Sequence, residues 1–310
     1  MFSVVIPSYN RKDCVLRLLS DLRLQRGADF EVIVVDDCSS DDTVEAIRRD
    51  FPEVTLLRNE KNGGPCVSRN RGILAATGEF IVGLDSDVTV PDSHLIAKVE
   101  RAFMDHPDAT GFAFRLLKPG GVTDDRGRWW HPVPMERFAS SEFETCYFSG
   151  TAYAFRRDAM IAAGLYPETL FMHYEEVELA FRILDAGGRI QYSPNLFVEH
   201  HEHPVSRRNR VQTYYKPRNQ ILLAIGCLPL ASAAHFLIPR LPYQLVRSTL
   251  GGYPHIFASA VVDAIANIPQ RFRERKPISI ATISRIRKLR WKSEEESGSI
   301  AGAIKARTGV

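Results

Sequence analysis

Residues 80–87 read FIVGLDSD: the apolar run Phe80–Leu84 passes directly into two carboxylates one residue apart, Asp85 and Asp87. A short apolar run bounded by turn residues reads as a buried strand. Paired acids at its C-terminal edge lie where open α/β sheets bind ligands. Two such acids are costly to hold together unless a cation or a proton sits between them. Hard oxygen ligands suit Mg2+ or Mn2+, ions that bind through one or two carboxylates plus substrate phosphates. An isolated D-x-D is more often a solvated turn, so the flanking sequence has to decide.

Upstream, Phe2–Pro7 (FSVVIP), Glu31–Asp36 (EVIVVD) and Val54–Arg58 are further strand-like runs. Between them lie helical patterns: residues 13–24, with Val15, Leu18, Leu19 and Leu22 on one face, and a segment capped by Asp41 or Asp42 with Val44, Ile47 and Phe51 inward. A turn, NGGP, opens a third helix through Val67–Ala76. This strict alternation predicts a doubly wound, mostly parallel α/β sheet. Downstream, helices are predicted over 94–106 and 174–186, and strands over 111–117 and 146–156. Residues 118–145, with Trp129 and Trp130, read as a long polar loop of the kind that forms binding lids.

The chain has 310 residues, 45% hydrophobic and 25% charged, which suits an ordinary globular protein with a sizeable core. Its five cysteines are odd in number and include no C-x-x-C pair, so neither a disulfide framework nor a structural zinc site is expected. No secretory leader is expected before Phe2–Pro7, and a cytoplasmic location follows. The net charge of +3 conceals an asymmetry: from Arg207 onward 18 Lys and Arg face 5 Asp and Glu. The preceding part is acidic by 10 charges.

Several segments together resemble the inverting glycosyltransferases of family 2: VVIPSYNR (4–11), VVDDCSSDDT (34–43), NGGPCVSRNRGI (62–73), LDSD (84–87) and HYEEVELAFR (173–182). The resemblance covers residues 2–219 and implies a GT-A fold, a nucleoside-diphosphate sugar donor and dependence on Mn2+ or Mg2+. By resemblance, Pro7, Tyr9 and Arg11 lie along the nucleotide, and Asp37 accepts a hydrogen bond from the base imide, which favours UDP or dTDP. Arg69 and Asn70 match a pair behind the nucleotide, with Arg69 either contacting diphosphate or holding a structural salt bridge. Asp87 would bind the metal while Asp85 faces ribose or sugar. Glu176 occupies the position of the catalytic base, preceded by Glu175. The family usually has Glu-Asp there, so this chain's Glu-Glu leaves open which acid acts. Glu178, four residues before Arg182, reads as a surface ion pair. One of His200, His201 and His203 would be a further metal ligand, His200 matching best. Gly150 matches a small residue that lets the two sugars approach. Trp129 and Trp130 read equally as sugar platforms or packing residues.

A catalytic unit over 1–219 and a helical extension over 220–310 are therefore expected. Gln220–Pro239 carries no formal charge but is interrupted by Gly226 and Pro229, which favours helices lying in a membrane interface over a span, with a buried dimer helix as the third reading. The basic runs RFRERK (271–276) and RIRKLRWK (285–292) suit an anionic bilayer rather than nucleic acid, a solvated helix face being the competing reading. The tail is loosely similar to those of bacterial rhamnosyltransferases. The expected partners are a nucleotide sugar, a glycan or lipid-linked acceptor, and the inner face of the cell membrane. The rival readings are transfer to polyprenyl phosphate, a nucleotidyltransferase and a non-catalytic sugar-nucleotide binder.

Overall fold

In the computed structural model, residues 1–201 and 209–295 are described. The first half alternates as its periodicity requires: β1 (Phe2–Ser8), α1 (Lys12–Arg23), β2 (Phe30–Asp36), α2 (Thr43–Asp50), β3 (Thr55–Arg58), α3 (Gly64–Ala75) and β4 (Phe80–Leu84). After β5 (Val88–Thr89) and α4 (Leu95–Asp105) comes β6 (Gly111–Leu117). The long loop then holds α5 (Met135–Phe138) and β7 (Phe143–Thr145). The chain continues through β8 (Ala152–Arg156), α6 (Arg157–Ala162), α7 (Glu175–Asp185) and β9 (Ile190–His200). Four helices follow: α8 (Asn209–Cys227), α9 (Leu230–Leu250), α10 (Pro254–Arg273) and α11 (Ile280–Glu295).

Among the described residues the strands form one nine-stranded sheet in the order β3-β2-β1-β4-β8-β6-β9-β5, with β7 beside β9. β3, β2, β1 and β4 are mutually parallel. β8 enters antiparallel to both β4 and β6. Alternate residues of β1 feed opposite layers, as the strand period demands: Phe2, Val4 and Ile6 pack with α1, α2 and α4, while Val5 packs with α3 and α7. From β1 the chain winds outward to β2 and β3, then returns to β1's other flank as β4. That reversal opens a crevice at the C-terminal edge, between β1 and β4, where doubly wound sheets take their ligands.

Strand β8 begins at Ala152 rather than 146, because residues 146–151 form the irregular lead-in that carries Gly150. The apolar stretch 220–239 is not one element. Helix α8 ends at Cys227, and Leu222, Leu223, Ala224 and Cys227 are buried against Phe181, Leu184 and Leu170. This part of the run is apolar because protein covers it, and no helix among the described residues is long and apolar enough to cross a membrane. The division expected at 219/220 falls inside α8.

Two charge assignments change. Glu178 is buried rather than on the surface, lying 3.5 Å from Arg182 and bonded to Arg271 of α10, itself buried. Arg275 donates to the carbonyls of Ile225 and Leu228 at 2.9 Å each, and Arg285 donates to Glu144 at 2.7 Å. Part of the basic tail therefore holds the helices onto the sheet.

Candidate active site

Strand β4 ends at the crevice and delivers Asp85, whose backbone N–H donates to the carbonyl of Thr151 at 2.9 Å. Asp87 follows one turn later. Opposite it, β5 pairs antiparallel with β9 so that Val88 faces His200, and the N–H of His201 donates to the carbonyl of Asp87. This register brings His200 Nε2 to 3.7 Å from Asp87 Oδ1. Arg11 Nη1 lies 3.4 Å from Asp87 Oδ2. Burial, reinforced by the charge of Asp85, pushes the Asp87 carboxyl above its ordinary pKa. A cation would reverse that penalty.

His200 is turned by a residue that the sequence did not single out. Its Nδ1 bonds Asp125 Oδ2 at 2.8 Å, while its buried Nε2 has no hydrogen-bond partner. Burial alone would raise the Asp125 carboxyl, but the bond to His200 holds it below its usual range. A carboxylate fixing one imidazole nitrogen, so that the other points at an acid, is the arrangement that supports metal-binding histidines. The orphaned Nε2 and Asp87 thus fit a divalent cation. Among the described residues no group of three or more His, Cys, Asp or Glu side chains could hold a metal by itself. The remaining positions are left to a ligand such as diphosphate, the usual mode for Mg2+-type ions. His201 instead bonds Thr89 Oγ1 at 2.9 Å, and His203 lies outside the described residues.

Arg69 lies beneath the crevice rather than in it. Its Nη2 donates to Asp85 Oδ1 at 2.7 Å and to the Gly150 carbonyl at 3.3 Å, and its Nη1 lies 3.4 Å from Glu175 Oε1. Of the two readings of Arg69, the geometry carries the salt bridge. Glu175 is buried behind this guanidinium, where burial and then the charge of Glu176 push its carboxyl far above the usual range. Glu176 turns the other way: its Oε1 accepts from the Gly150 N–H at 3.1 Å and it lines the adjoining cavity. Glu176 therefore lines the cavity while Glu175 lies against Arg69, the two carboxyls still within hydrogen-bonding reach of each other. A Cβ on Gly150 would lie 2.7 Å from Arg69 Nη2 and 2.8 Å from Glu176 Oε1, so a larger residue there would push both groups from their present places.

Tyr9 is exposed and Pro7 half-buried at the end of β1, on the crevice side. Asp37 is buried. Its carboxylate accepts from Asn59 Nδ2 at 2.7 Å and from the N–H groups of Gly63 at 3.0 Å and Gly64 at 2.7 Å. It holds the glycine turn, where Gly64 has φ +82° and lies against the Phe171 ring. Asn70 bonds the backbone of Tyr166 in both directions at 2.9 Å, so its amide faces the fold and not the crevice.

A cavity of about 490 Å3 opens beside Glu176 and Asp125. Lys118 and Arg128 come from the long loop, Tyr147 from the lead-in to β8, His173 and Tyr174 from the approach to α7, and Gln212 and Lys216 from α8. The two tryptophans divide. Trp129 packs on Phe143 and Tyr192 in the core, whereas Trp130 stacks on Tyr147 at 5.9 Å and lines the cavity.

Residues 3–163, just over half of the 310, match the family model described as Glycosyl transferase family 2. The chain is 41% identical over 99 residues to the succinoglycan biosynthesis protein ExoO of Rhizobium meliloti, covering 32% of this chain and 28% of that one. It is 31% identical over 216 residues to a pre-mycofactocin glycosyltransferase of Mycobacterium tuberculosis, covering 64% and 42%. The matches thus span less than half the length of these relatives. Among solved structures, a mannosyltransferase of Pyrobaculum calidifontis in complex with GDP-Man and Mn2+ superposes with TM-score 0.58 at 20% identity, over 98% of this chain and 86% of that one. Staphylococcus aureus TarS 1–349 in complex with UDP-GlcNAc gives 0.58 at 21% identity, over 87% and 82%. The fold is GT-A, and the chain belongs to glycosyl transferase family 2.

Proposed function

We propose that the chain is a metal-dependent inverting glycosyltransferase that moves a sugar from a nucleoside-diphosphate sugar to an acceptor hydroxyl in polysaccharide or glycolipid assembly. One observation carries this reading. Arg69 and Gly150 join the acid pair of the crevice to Glu176, so a cation-binding edge and a candidate base share one wall. Asp87 and His200 would hold Mn2+ or Mg2+, which supplies Lewis-acid stabilisation of the departing nucleoside diphosphate. Asp85, held by Arg69, orients the donor on the other side of the crevice. Glu176 accepts the proton of the acceptor hydroxyl, its carboxylate aimed by the Gly150 N–H. Positioning and proton transfer together supply the chemistry. UDP and dTDP are the favoured carriers.

Calorimetry with UDP-, dTDP- and GDP-sugars, with and without Mn2+, tests this directly. Metal-assisted uptake of one donor is expected in the wild type and is lost in Asp87→Ala. Glu176→Gln should keep donor uptake and lose about 10²- to 10⁴-fold in turnover, the usual contribution of a general base. Near-normal turnover of Glu176→Gln would move the reading to a phosphate oxygen as nucleophile. No metal-assisted uptake of any donor would end it.

The same proposal places α9 and α10 against an anionic membrane surface at the cytoplasmic face. Its support is the set of exposed apolar side chains there, Leu245, Val246 and Leu250 on α9 and Val262, Ile265 and Phe272 on α10. Co-sedimentation with lipid vesicles is the test.

A further inference from the structure

The cavity beside Glu176 is lined by more basic than acidic side chains, Lys118, Arg126, Arg128 and Lys216 against Asp125 and Glu176. Lys216 is half-buried on α8, with Nζ 5.8 Å from the centre of the Trp130 ring, and Arg128 lines the same space. Neither forms an ion pair among the described residues. The acids on the wall make their hydrogen bonds elsewhere, Asp125 to His200 and Glu176 to the Gly150 N–H, while the charge of Arg128 helps hold Asp125 ionised. Burial, with the like charges of Arg247 and Arg128, lowers the Lys216 ammonium to about 8. Burial, with the charges of Lys216 and Arg128 beside it, lowers His173 to about 4 and keeps it uncharged. Like charges in a partly buried space destabilise the empty protein, and an anionic guest would offset that cost.

Beside these cations stand three rings, Trp130 stacked on Tyr147 and meeting Tyr174 edge-on at 5.6 Å. Aromatic walls with a few charged groups describe a pocket for a sugar bearing a charged substituent. Two cations match a phosphate, which carries roughly −1.5 to −2 charges, better than a single carboxylate. A guanidinium fork and a compact ammonium are also the pair suited to phosphate oxygens.

We propose that this cavity is the acceptor subsite and that it selects an acceptor bearing a phosphate or diphosphate close to the hydroxyl that is glycosylated, with Lys216 and Arg128 as the groups that read it. The proposal rests on the glycosyl-transfer reading above. It extends that reading to the acceptor's charge, which neither the crevice nor the base determines.

Calorimetry in EDTA, which removes the divalent ion needed for donor uptake, isolates this subsite. Three probes are compared: glucose 1-phosphate, glucose, and a short polyprenyl phosphate in neutral detergent micelles. The wild type is expected to bind at least one phosphate probe and not glucose. Lys216→Gln and Arg128→Gln should each weaken that binding about ten- to a hundredfold, as expected for a lost charge-assisted hydrogen bond. Lys216→Arg should restore most of it. Tighter binding of the sugar phosphate indicates a soluble or polymer-borne acceptor, and tighter binding of the micellar probe a lipid-borne one; both outcomes support the proposal. Binding of neither phosphate, or binding indifferent to both substitutions, overturns it. Failure of the donor reading shows itself separately, as absent Mn2+-assisted uptake of nucleotide sugars by the wild type.

Discussion

Lys216 shares its cavity with charges of its own sign, and the fold has to bear that energy whenever the site is empty. Its folded pKa of about 8 lies below the roughly 10.4 of an unfolded lysine. Between those values the unfolded chain binds more protons than the folded one, so stability rises with pH across that window. Below pH 8 the penalty is fully present. Lys216→Met is therefore expected to be more stable than the wild type at pH 7, with the advantage shrinking as pH climbs toward 10. Denaturant unfolding at a series of pH values measures it; a variant less stable at pH 7, or a gap that does not change with pH, contradicts the electrostatic account. At this scale the Asp85–Asp87 pair was visible from residue type and spacing, and Glu176 and His200 were singled out through the family resemblance. Asp125 was not, because its meaning depends on a histidine 75 residues further along the chain.

Helix α7 illustrates what an element needs beyond its periodicity. Val177, Ala180, Phe181 and Leu184 form its apolar face, visible in the sequence and packed as expected. Its entry is strained: Phe171, His173 and Tyr174 have φ of 63°, 68° and 72°, a region unfavourable for side chains of this size. The segment is held by Asn219 of α8, fully buried, whose Nδ2 donates to the carbonyls of Leu170, Met172 and His173 at 2.6 to 2.8 Å. Gln220 adds a bond to the Tyr174 hydroxyl at 2.7 Å. Removing the amide leaves buried carbonyls without a donor, at a cost of about 2 to 4 kcal/mol. Asn219→Ala should therefore unfold at lower denaturant concentration and lose kcat while the donor KM stays near its wild-type value. Undiminished kcat in a destabilised Asn219→Ala would show that the strained entry does not position Glu176. None of the three strained residues is glycine or asparagine, so the sequence held no sign of this turn.

Across the whole molecule, charge is divided between holding the helices together and facing outward. The basic surplus after Arg207 reads as a surface property, yet Arg271 is buried on Glu178, and Arg275 and Arg285 anchor neighbouring elements. Arg247, Arg273, Lys276, Arg287 and Lys288 remain exposed near the apolar side chains of α9 and α10 in sequence. On α10, Val262, Ile265 and Phe272 recur at a helical spacing that puts them on one stripe. Such a surface should bind vesicles containing phosphatidylglycerol more strongly than neutral ones, and added salt should weaken the binding. Val262→Asp with Ile265→Asp should reduce it. Equal recovery with neutral and anionic vesicles, or none with either, removes the membrane from the account.

The order of strands and helices through β4, the D-x-D at the sheet edge and the glutamate pair at the start of α7 are local matters. Side-chain periodicity, turn residues and short motifs carry them, and the sequence by itself determined them. The division of labour within the site depends on long-range packing. Arg69 draws Glu175 inward and leaves Glu176 facing the cavity, while Asp37 holds the glycine turn and Asn70 holds the Tyr166 backbone. Helix α8 supplies Asn219 and Lys216 from beyond the family motifs. Only the tertiary structure decided these points, because a buried polar group takes its role from the partner that satisfies it, and those partners lie far away along the chain.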